Sequence, residues 1–340
     1  MAIFMKQRLG IDLGTTTTLI YIHNKGIALR EPTLVAVNKS NGQPVAFGKE
    51  AEAMRGRTSE EIELVQPLRE GVIANFTLAK QMLSHFIKEA VHRKSVNPEV
   101  VICVPSFISK VERKALVDTV KEIGIRKALI VEEPFAAAIG LDLPIEAPKG
   151  RMVVDVGGGT TDIAMLSYGE IVHANATVFA GNAMDQAIQD WLFHQHQCVI
   201  SPEVAEKIKI KIGQAAFLET DVNDAMLVKG RSVVTGLPTE LNVTTTQIHQ
   251  ALDPVIKQIV QAIKAVFQVA APELVVDVLE AGIYLCGGGA LLQGLADRLS
   301  RDLKVPVHLQ QHPIDVVVIG AGKLLDRMNR QAKKLEKERR

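Results

Sequence analysis

The sequence predicts an α/β protein made of two similar halves. A strand–turn–strand segment occurs twice, as residues 9–21 (LGIDLGTTTTLIY) and residues 152–165 (MVVDVGGGTTDIAM). After each copy, short apolar runs of strand length alternate with segments of helical periodicity, a pattern typical of strands joined by helical crossovers. The chain of 340 residues, 47% of them hydrophobic, is long for a single core and suits two domains.

Each copy of this segment has the residues of a phosphate-binding hairpin. An aspartate, Asp12 or Asp155, ends the first apolar strand, and a glycine turn with threonines leads to the second strand. Glycine lets the backbone approach a ligand closely, and successive backbone N–H groups of the turn can face an anion. The aspartate carboxylate can hold the metal ion that accompanies a bound phosphate. A single turn of this kind is equally typical of a plain β-hairpin. Two copies with aspartate at the same position predict two halves that hold one phosphate chain. The candidate phosphate-binding residues are Asp12, Gly14, Thr15, Thr16, Thr17 and Thr18 in the first copy and Asp155, Gly157, Gly158, Gly159, Thr160 and Thr161 in the second.

The first half is predicted to span residues 1–145. It has a small insertion over about residues 32–72, in which 32–37 is predicted to be extended, 38–44 a turn-rich loop, and 51–64 a short helix and loop. Helix 78–90 has apolar residues at every fourth position, which predicts a buried stripe. The remaining predicted elements are strand 27–29, strand 100–104, helix 110–123, strand 128–131 and helix 135–141.

The second half is predicted to span residues 146–325, with an insertion over about residues 182–250 and a basic tail, 326–340, after it. A long helix begins near the capping-box residues Thr244 and Gln247 and carries an apolar stripe that is expected to be core. The remaining predicted elements are strands 163–166 and 171–174, helices 181–193 and 202–216, β element 228–240, strand 283–286, helix 290–301, strand 305–309 and helix 316–325.

Composition limits the class of protein. The formal net charge is +1, so no overall field favours nucleic acid as a partner. The three cysteines lie in or beside apolar runs, which predicts buried free thiols in a reducing cytosol. The apolar patch at residues 2–5 is too short for a signal peptide, and no run approaches the ~18 apolar residues of a membrane span.

Further motifs extend the pattern beyond the two hairpins. Glycine-bearing segments recur at 287–289 (CGGG) and 320–322 (GAG), both expected as turns at strand ends, and Glu133 ends a strand between the two hairpins. This set, in this order, resembles the actin-like ATPase superfamily. The segments EPTLVAV, PLREGVIANF, VICVPS, EEPFAAAIGLDLPI and CGGGALLQGL are similar to those of the MreB family, the bacterial actins, over about residues 9–325.

The resemblance implies an actin-like ATPase fold with ATP and Mg²⁺ as ligands. Such a fold has two ribonuclease H-like domains, each with a small inserted subdomain, and a nucleotide cleft between them. By this resemblance Asp12 and Asp155 hold Mg²⁺, largely through water, which suits a cation that keeps its hydration shell. Catalysis would be positioning plus charge neutralisation, with no covalent nucleophile.

The resemblance also implies roles for individual residues. Glu133 matches the residue that orients or polarises the attacking water, and Thr160 is similar to the residue that assists it. With Asp155, which holds the metal ion, these residues form the implied catalytic set. A carboxylate at a helix start that is satisfied by nearby N–H groups is the structural alternative for Glu133. Glu206 and Lys209 match a ribose-facing pair of the chaperone branch. The residues that match the adenosine-binding turn are Gly287, Gly288 and Gly289.

Three positions depart from the family pattern. Thr17 stands where asparagine is usual, Asn182 where aspartate is usual, and Lys211 where an acidic residue is expected. The first two alter groups expected near the phosphates, so these departures bear on the hydrolysis rate and on filament contacts rather than on the fold.

The function that the resemblance implies is a cytoskeletal ATPase. Its copies would assemble head to tail, as an antiparallel double filament at the inner face of the cell membrane, and direct cell shape with cell-wall elongation proteins. Ile3 and Phe4 form either a frayed start or a membrane-inserting wedge, and tail 326–340 is either a solvated helix or a contact for an anionic surface or a partner. Two alternatives stay open: a small-molecule kinase with Asp185 as base, and a non-polymerising nucleotide-dependent regulator.

Overall fold

The computed structural model describes residues 7–91, 98–125, 127–216 and 222–326. These form two compact units. The first contains the described residues up to Pro148, the segment Leu166–Val172 and the described residues from Ile314 onward, and the second contains Lys149–Met165 and His173–Pro313. The division at residue 145, with its two insertions, stays a prediction.

The first unit is built on a five-stranded sheet. Its strands β1 and β2 form the hairpin of the first repeat, and β9 and β10 continue the sheet in parallel to β1, giving the order β10-β9-β1-β2-β3. A second sheet has the order β5-β4-β6, and β7 pairs with β8. The elements are β1 Arg8–Leu13, β2 Thr17–Ile22, β3 Gly26–Pro32, β4 Val35–Asn38, β5 Pro44–Phe47, α1 Gly48–Ala53, β6 Ile62–Val65, β7 Leu68–Arg69, β8 Val72–Ile73, α2 Phe76–Val91, β9 Glu99–Val104, α3 Lys110–Glu122, β10 Lys127–Glu132 and α4 Glu133–Gly140.

The second unit repeats this plan. Its main sheet has the order β13-β12-β11-β17-β18, with β17 parallel to both β11 and β18, and a smaller sheet has the order β14-β15-β16. The elements are β11 Arg151–Val156, β12 Thr161–Ser167, β13 Glu170–Thr177, α5 Gly181–His196, β14 Cys198–Val199, α6 Pro202–Ile212, β15 Ala225–Ser232, β16 Pro238–Thr244, α7 Thr245–Val269, α8 Pro272–Ala281, β17 Ile283–Cys286, α9 Leu295–Leu303 and β18 Val307–Leu309. A last helix, α10, spans residues 316–326 and belongs to the first unit.

The expected α/β class is confirmed, and the long helix α7 has the predicted capping box and buried stripe. The three cysteines are buried thiols that form no disulfide, as expected. Within the described ranges no helix has the length and apolar character needed to cross a membrane.

Two predictions compete at residues 320–322: the helix over 316–325 is correct, and the turn at a strand end is wrong. Gly320 and Gly322 do not end a strand but lie inside α10. A Cβ on Gly320 would overlap the carbonyl oxygen of Ala136, and one on Gly140 would overlap that of Val316. Glycine is therefore required here because α4 and α10 pack backbone against backbone, and not because the chain turns.

Smaller errors concern element ends. Residues 51–64 were expected as helix and loop, but Ile62–Val65 is a strand that pairs with β4. The helix predicted over 202–216 ends at Ile212, and α8 lacks a prediction altogether. The helix predicted over 290–301 is a short 3₁₀ turn, Gly289–Leu291, followed by α9.

Candidate functional site

The first phosphate hairpin, residues 12–18, joins β1 to β2 in the first unit. Asp12 is the last residue but one of β1 and pairs with Leu19 across the hairpin. A Cβ on Gly14 would lie 2.7 Å from the carbonyl oxygen of Thr17, so the turn requires glycine. This local constraint explains the glycine in the turn, whereas it does not require an aspartate at the strand end.

Two of the four threonines of this hairpin, Thr15 and Thr18, have side-chain hydrogen bonds within the first unit. The hydroxyls of Thr18 and Thr33 lie 2.9 Å apart, and Thr33 donates to the carbonyl oxygen of Gly14 at 2.7 Å. The Thr15 hydroxyl accepts the backbone N–H of Gly71 at 3.2 Å. Two of the four side chains thus hold the loop in shape, while Thr16 and Thr17 are half-buried. All four stay predictions as phosphate contacts.

Sheet register places Asp12 and Glu133 at one edge of the first sheet. Asp12 is level with Cys103 on β9, and Cys103 is level with Val131 on β10. Glu133 follows β10 directly and is the first residue of α4, where it is 8% exposed. Ligands of parallel α/β sheets bind at this carboxyl edge, and a helix N-terminus stabilises a carboxylate.

Burial raises the pKa of Asp12 to about 7. A carboxylate that has lost part of its hydration regains stabilisation from a nearby cation. By exposed surface Asp12 is half-buried, and Asp155 in the second unit is buried. Each side chain, taken by itself, therefore fits an oxygen ligand of a largely hydrated Mg²⁺. Among the described residues no group of three or more histidine, cysteine or acidic side chains could hold a metal ion.

The second phosphate hairpin, residues 155–161, joins β11 to β12. The N–H of Gly157 donates to the carbonyl oxygen of Thr160 at 2.8 Å and closes the turn. The Thr161 hydroxyl donates to the carbonyl oxygen of Phe179 at 2.8 Å. Thr160 itself is half-buried, which is compatible with the helper role that remains a prediction for it.

The glycine segment 287–289 packs directly on the second hairpin. Asp155 is level with Cys286 on the parallel strand β17, so the segment continues from the strand next to Asp155. Gly287 has φ +87°, and a Cβ there would overlap the Asp155 carboxylate. The structure thus brings Asp155, the glycine turn and residues 287–289 together, and the adenosine-binding role of this segment stays a prediction.

The first turn of α5 also contacts this hairpin. The N–H of Gly181 donates to the carbonyl oxygen of Gly157 at 3.1 Å, and the N–H of Asn182 donates to that of Gly158 at 2.7 Å. Asn182 therefore supports the turn through its backbone, a contact that the aspartate usual at this position could make equally. The departure at this position changes charge and not this backbone link.

Helix α6 presents the predicted ribose-facing pair in two different environments. Glu206 is exposed. Lys209 instead lies 2.8 Å from an oxygen of Asp185 and donates to the carbonyl oxygen of Gly181 at 2.9 Å. Burial raises the pKa of Asp185 to about 6, against the opposing effect of Lys209. No sequence signal links these two residues of different helices, 24 positions apart.

Two α/β units, each with an aspartate-ended strand and a glycine–threonine turn, define the actin-like class of nucleotide-binding folds. The model of the MreB/Mbl protein family matches residues 6–333. The cell shape-determining protein Mbl of Bacillus subtilis is 40% identical over 96% of this chain and 98% of its own length, and MreB of Escherichia coli is 38% identical over 94% and 93%. The chain belongs to the MreB/Mbl family.

Solved structures agree with this assignment. MreB5 of Spiroplasma citri bound to AMPPNP is 30% identical, with a TM-score of 0.92 over 97% of this chain and 99% of that one. The ADP-bound form of MreB5 has a TM-score of 0.91 at 31% identity over the same shares of the two chains. A MamK double helical filament has a TM-score of 0.79 at 25% identity, over 94% of this chain and 99% of that one. The expected actin-like fold is thereby confirmed.

Proposed function

We propose that this chain binds ATP with Mg²⁺, hydrolyses it, and polymerises into filaments that direct cell shape. The observation that carries the proposal is the pair of aspartate-ended hairpins, each at the carboxyl edge of its sheet, in a family whose MreB5 member is solved with ADP and with AMPPNP. Both hairpins contribute to binding the phosphates, and the segment 287–289 binds the adenosine.

The proposed chemistry needs positioning and charge neutralisation only. Bound Mg²⁺ would neutralise phosphate charge, and Asp12 and Asp155 would hold it through its water shell. Glu133, buried at the start of α4, orients the attacking water, and Thr160 assists it. Thr17 lacks the amide, and Asn182 lacks the charge, that are usual at these two positions in the family, so hydrolysis is expected to be slow.

Nucleotide binding tests the first step. Fluorescent ATP should bind the parent chain with Mg²⁺, and Asp155→Asn should weaken binding because a carboxylate for the hydrated cation is lost. Asp118→Asn, which removes an exposed carboxylate on α3 with only a 3.8 Å contact to Lys121, is the matched control. Equal affinity of both variants would contradict the proposed site.

Glu133→Gln tests hydrolysis separately from binding. This change keeps the shape of the side chain but removes the charge that polarises water, so ATP should still bind while phosphate release slows at least tenfold. Equal phosphate release by parent and variant would leave Glu133 with the structural role of a helix-start carboxylate.

Self-association is supported by the MamK filament structure, and the role in cell shape by the names of Mbl and MreB. Head-to-tail contacts that do not close generate a filament, and an antiparallel doublet is the arrangement we propose. Electron microscopy of the purified chain with ATP, with ADP and without nucleotide tests this. A chain that binds ATP but stays monomeric at every concentration would favour the non-polymerising regulator.

Membrane attachment at the inner face of the cell membrane, together with cell-wall elongation partners, completes the proposal. Ile3 and Phe4, the proposed wedge, and residues 327–340 of tail 326–340 lie outside the described residues. Co-sedimentation with anionic vesicles should therefore compare the parent with Ile3→Ser/Phe4→Ser and with a chain ending at Asp326. Unchanged sedimentation of both would remove these contacts from the proposal.

The small-molecule kinase is disfavoured by one contact. Its candidate base, Asp185, is paired with Lys209 at 2.8 Å, and both side chains are 13% exposed. A carboxylate held in this way is poorly placed to accept a proton from a substrate. Release of free phosphate without a phosphorylated acceptor would agree with ATP hydrolysis.

A further inference from the structure

Lys209 stands out because its ammonium group, carried by α6, is bound at the first turn of a different helix, α5. The group is held there by contacts at 2.8 Å and 2.9 Å to the Asp185 carboxylate and at 2.9 Å to the carbonyl oxygen of Gly181. All its contacts thus converge on one helical turn.

That helical turn supports the second phosphate hairpin. The backbone N–H groups of Gly181 and Asn182 donate to the carbonyl oxygens of Gly157 and Gly158. A Cβ on Gly181 would lie 3.3 Å from the Gly157 oxygen and 3.6 Å from the Lys209 ammonium, so the three groups are closely packed. A continuous chain of contacts therefore leads from α6, through the first turn of α5, to the glycine turn of the hairpin.

We infer that Lys209 is a positioning residue for phosphate binding: with Asp185 it fixes the first turn of α5, which in turn fixes the backbone of Gly157 and Gly158. This role differs from the ribose contact that family resemblance implies for Lys209. The inference rests on the proposed function insofar as the hairpin binds nucleotide phosphates. The geometry of the hairpin itself can be measured without nucleotide.

The first experiment measures hydrogen–deuterium exchange of the Gly181 and Asn182 amides in the nucleotide-free chain. Asp185→Asn/Lys209→Met removes both charges together, so that no unpaired buried charge is left to unfold the unit. Exchange at these two amides should be at least tenfold faster than in the parent. Lys207→Met, which removes an exposed ammonium on the same helix, should leave it unchanged.

The second experiment measures affinity for ATP and for 2′-deoxy-ATP. The double variant should lose roughly 10–100-fold in affinity for both nucleotides, the loss found when a group that orients a metal ligand is removed. Lys209→Arg keeps a cation that can bond to the carboxylate, so it should lose less affinity than the double variant. A loss confined to ATP would show a ribose contact instead.

The two experiments separate this inference from the proposed function. A folded double variant with parental exchange at Gly181 and Asn182, or with parental ATP affinity, overturns the positioning role. A parent chain that binds no ATP overturns the proposed function, and the exchange rates then still decide whether Lys209 fixes the hairpin.

Discussion

Replacing Arg298 by methionine should destabilise the second unit strongly. Arg298 on α9 is nearly buried, with its side chain 7% exposed, and lies 2.8 Å from Asp253 on α7 and 2.6 Å from Asp302 on its own helix. It also donates to the carbonyl oxygen of Ala215 at 3.2 Å. Methionine fills similar volume but leaves two carboxylates and a buried carbonyl without this partner.

The magnitude follows from the exposure of the two carboxylates. Breaking a fully buried pair costs about 3–5 kcal/mol, because an uncompensated charge stays in the interior. Asp253 and Asp302 are each 25% exposed, and Asp253 keeps Lys257 at 2.7 Å, so part of the penalty is relieved. We expect the free energy of unfolding to fall by about 2–3 kcal/mol.

Urea denaturation followed by fluorescence measures this loss. The single tryptophan, Trp191, lies on α5 in the second unit, so its emission reports on that unit. With a slope of about 1–3 kcal/mol per molar urea, the midpoint should fall by roughly 1 M or more. Arg301→Met is the control, since Arg301 is 55% exposed and only 3.5 Å from Asp302. Equal midpoints for the two variants would refute the calculation.

The same network predicts an acid dependence. Burial alone would raise the pKa of Asp253 and Asp302, but hydrogen bonds and charge from Arg298 and neighbouring cations lower both pKa values below 3.8. A depressed folded-state pKa stabilises the fold above the unfolded-state pKa and loses that contribution as the pH falls through the folded value. Acidification from pH 5 to pH 2 should therefore destabilise the parent more than Arg298→Met, and parallel curves would contradict this sign.

Three further predictions follow from single features. Because burial raises the pKa of Asp12 to about 7, affinity for ATP with Mg²⁺ should rise about tenfold from pH 6 to pH 8, and titration calorimetry on Asp12→Asn should find this rise absent. Gly320→Ala should lower the melting temperature through overlap with the Ala136 carbonyl oxygen, at a cost of about 1–3 kcal/mol, whereas Gly56→Asn, at an open position with positive φ, should not. The three buried cysteines should react with a thiol reagent only after unfolding, and a colorimetric thiol count on native protein should be near zero.

Local chemistry made the hairpins predictable. An apolar run, an aspartate, a glycine turn and threonines fix a strand–turn–strand with few alternatives, and the structure has β1–β2 and β11–β12 where the two copies lie. The capping box of α7 was equally predictable, because it depends only on Thr244 and Gln247, which are three positions apart in the sequence. Boundaries failed where tertiary contacts decide, as at β6, which becomes a strand by pairing with β4.

Contacts between residues that are far apart in the sequence could not be predicted from it. Gly320 resembled a turn residue, since a glycine required for close helix packing and one required for positive φ look alike in a sequence. Lys209 resembled a ligand contact, yet its partner Asp185 lies on another helix and no spacing connects the two. Thr33, which links Thr18 to Gly14, gave no signal for the same reason.

The two sheets show why only the hairpins repeat in sequence. In each sheet the aspartate-bearing strand has a parallel neighbour with a cysteine at the same level, Cys103 in one and Cys286 in the other. After these cysteines the two units differ. In the second unit Cys286 leads directly into the glycine segment 287–289. In the first unit it is β10, the strand beside β9, that leads into Glu133. If both hairpins bind phosphate, their residues are constrained alike, whereas the flanking edges serve the proposed adenosine contact in one unit and the proposed water activation in the other. Under the proposed function, different roles at the corresponding edges of the two sheets would account for a repeat confined to residues 9–21 and 152–165.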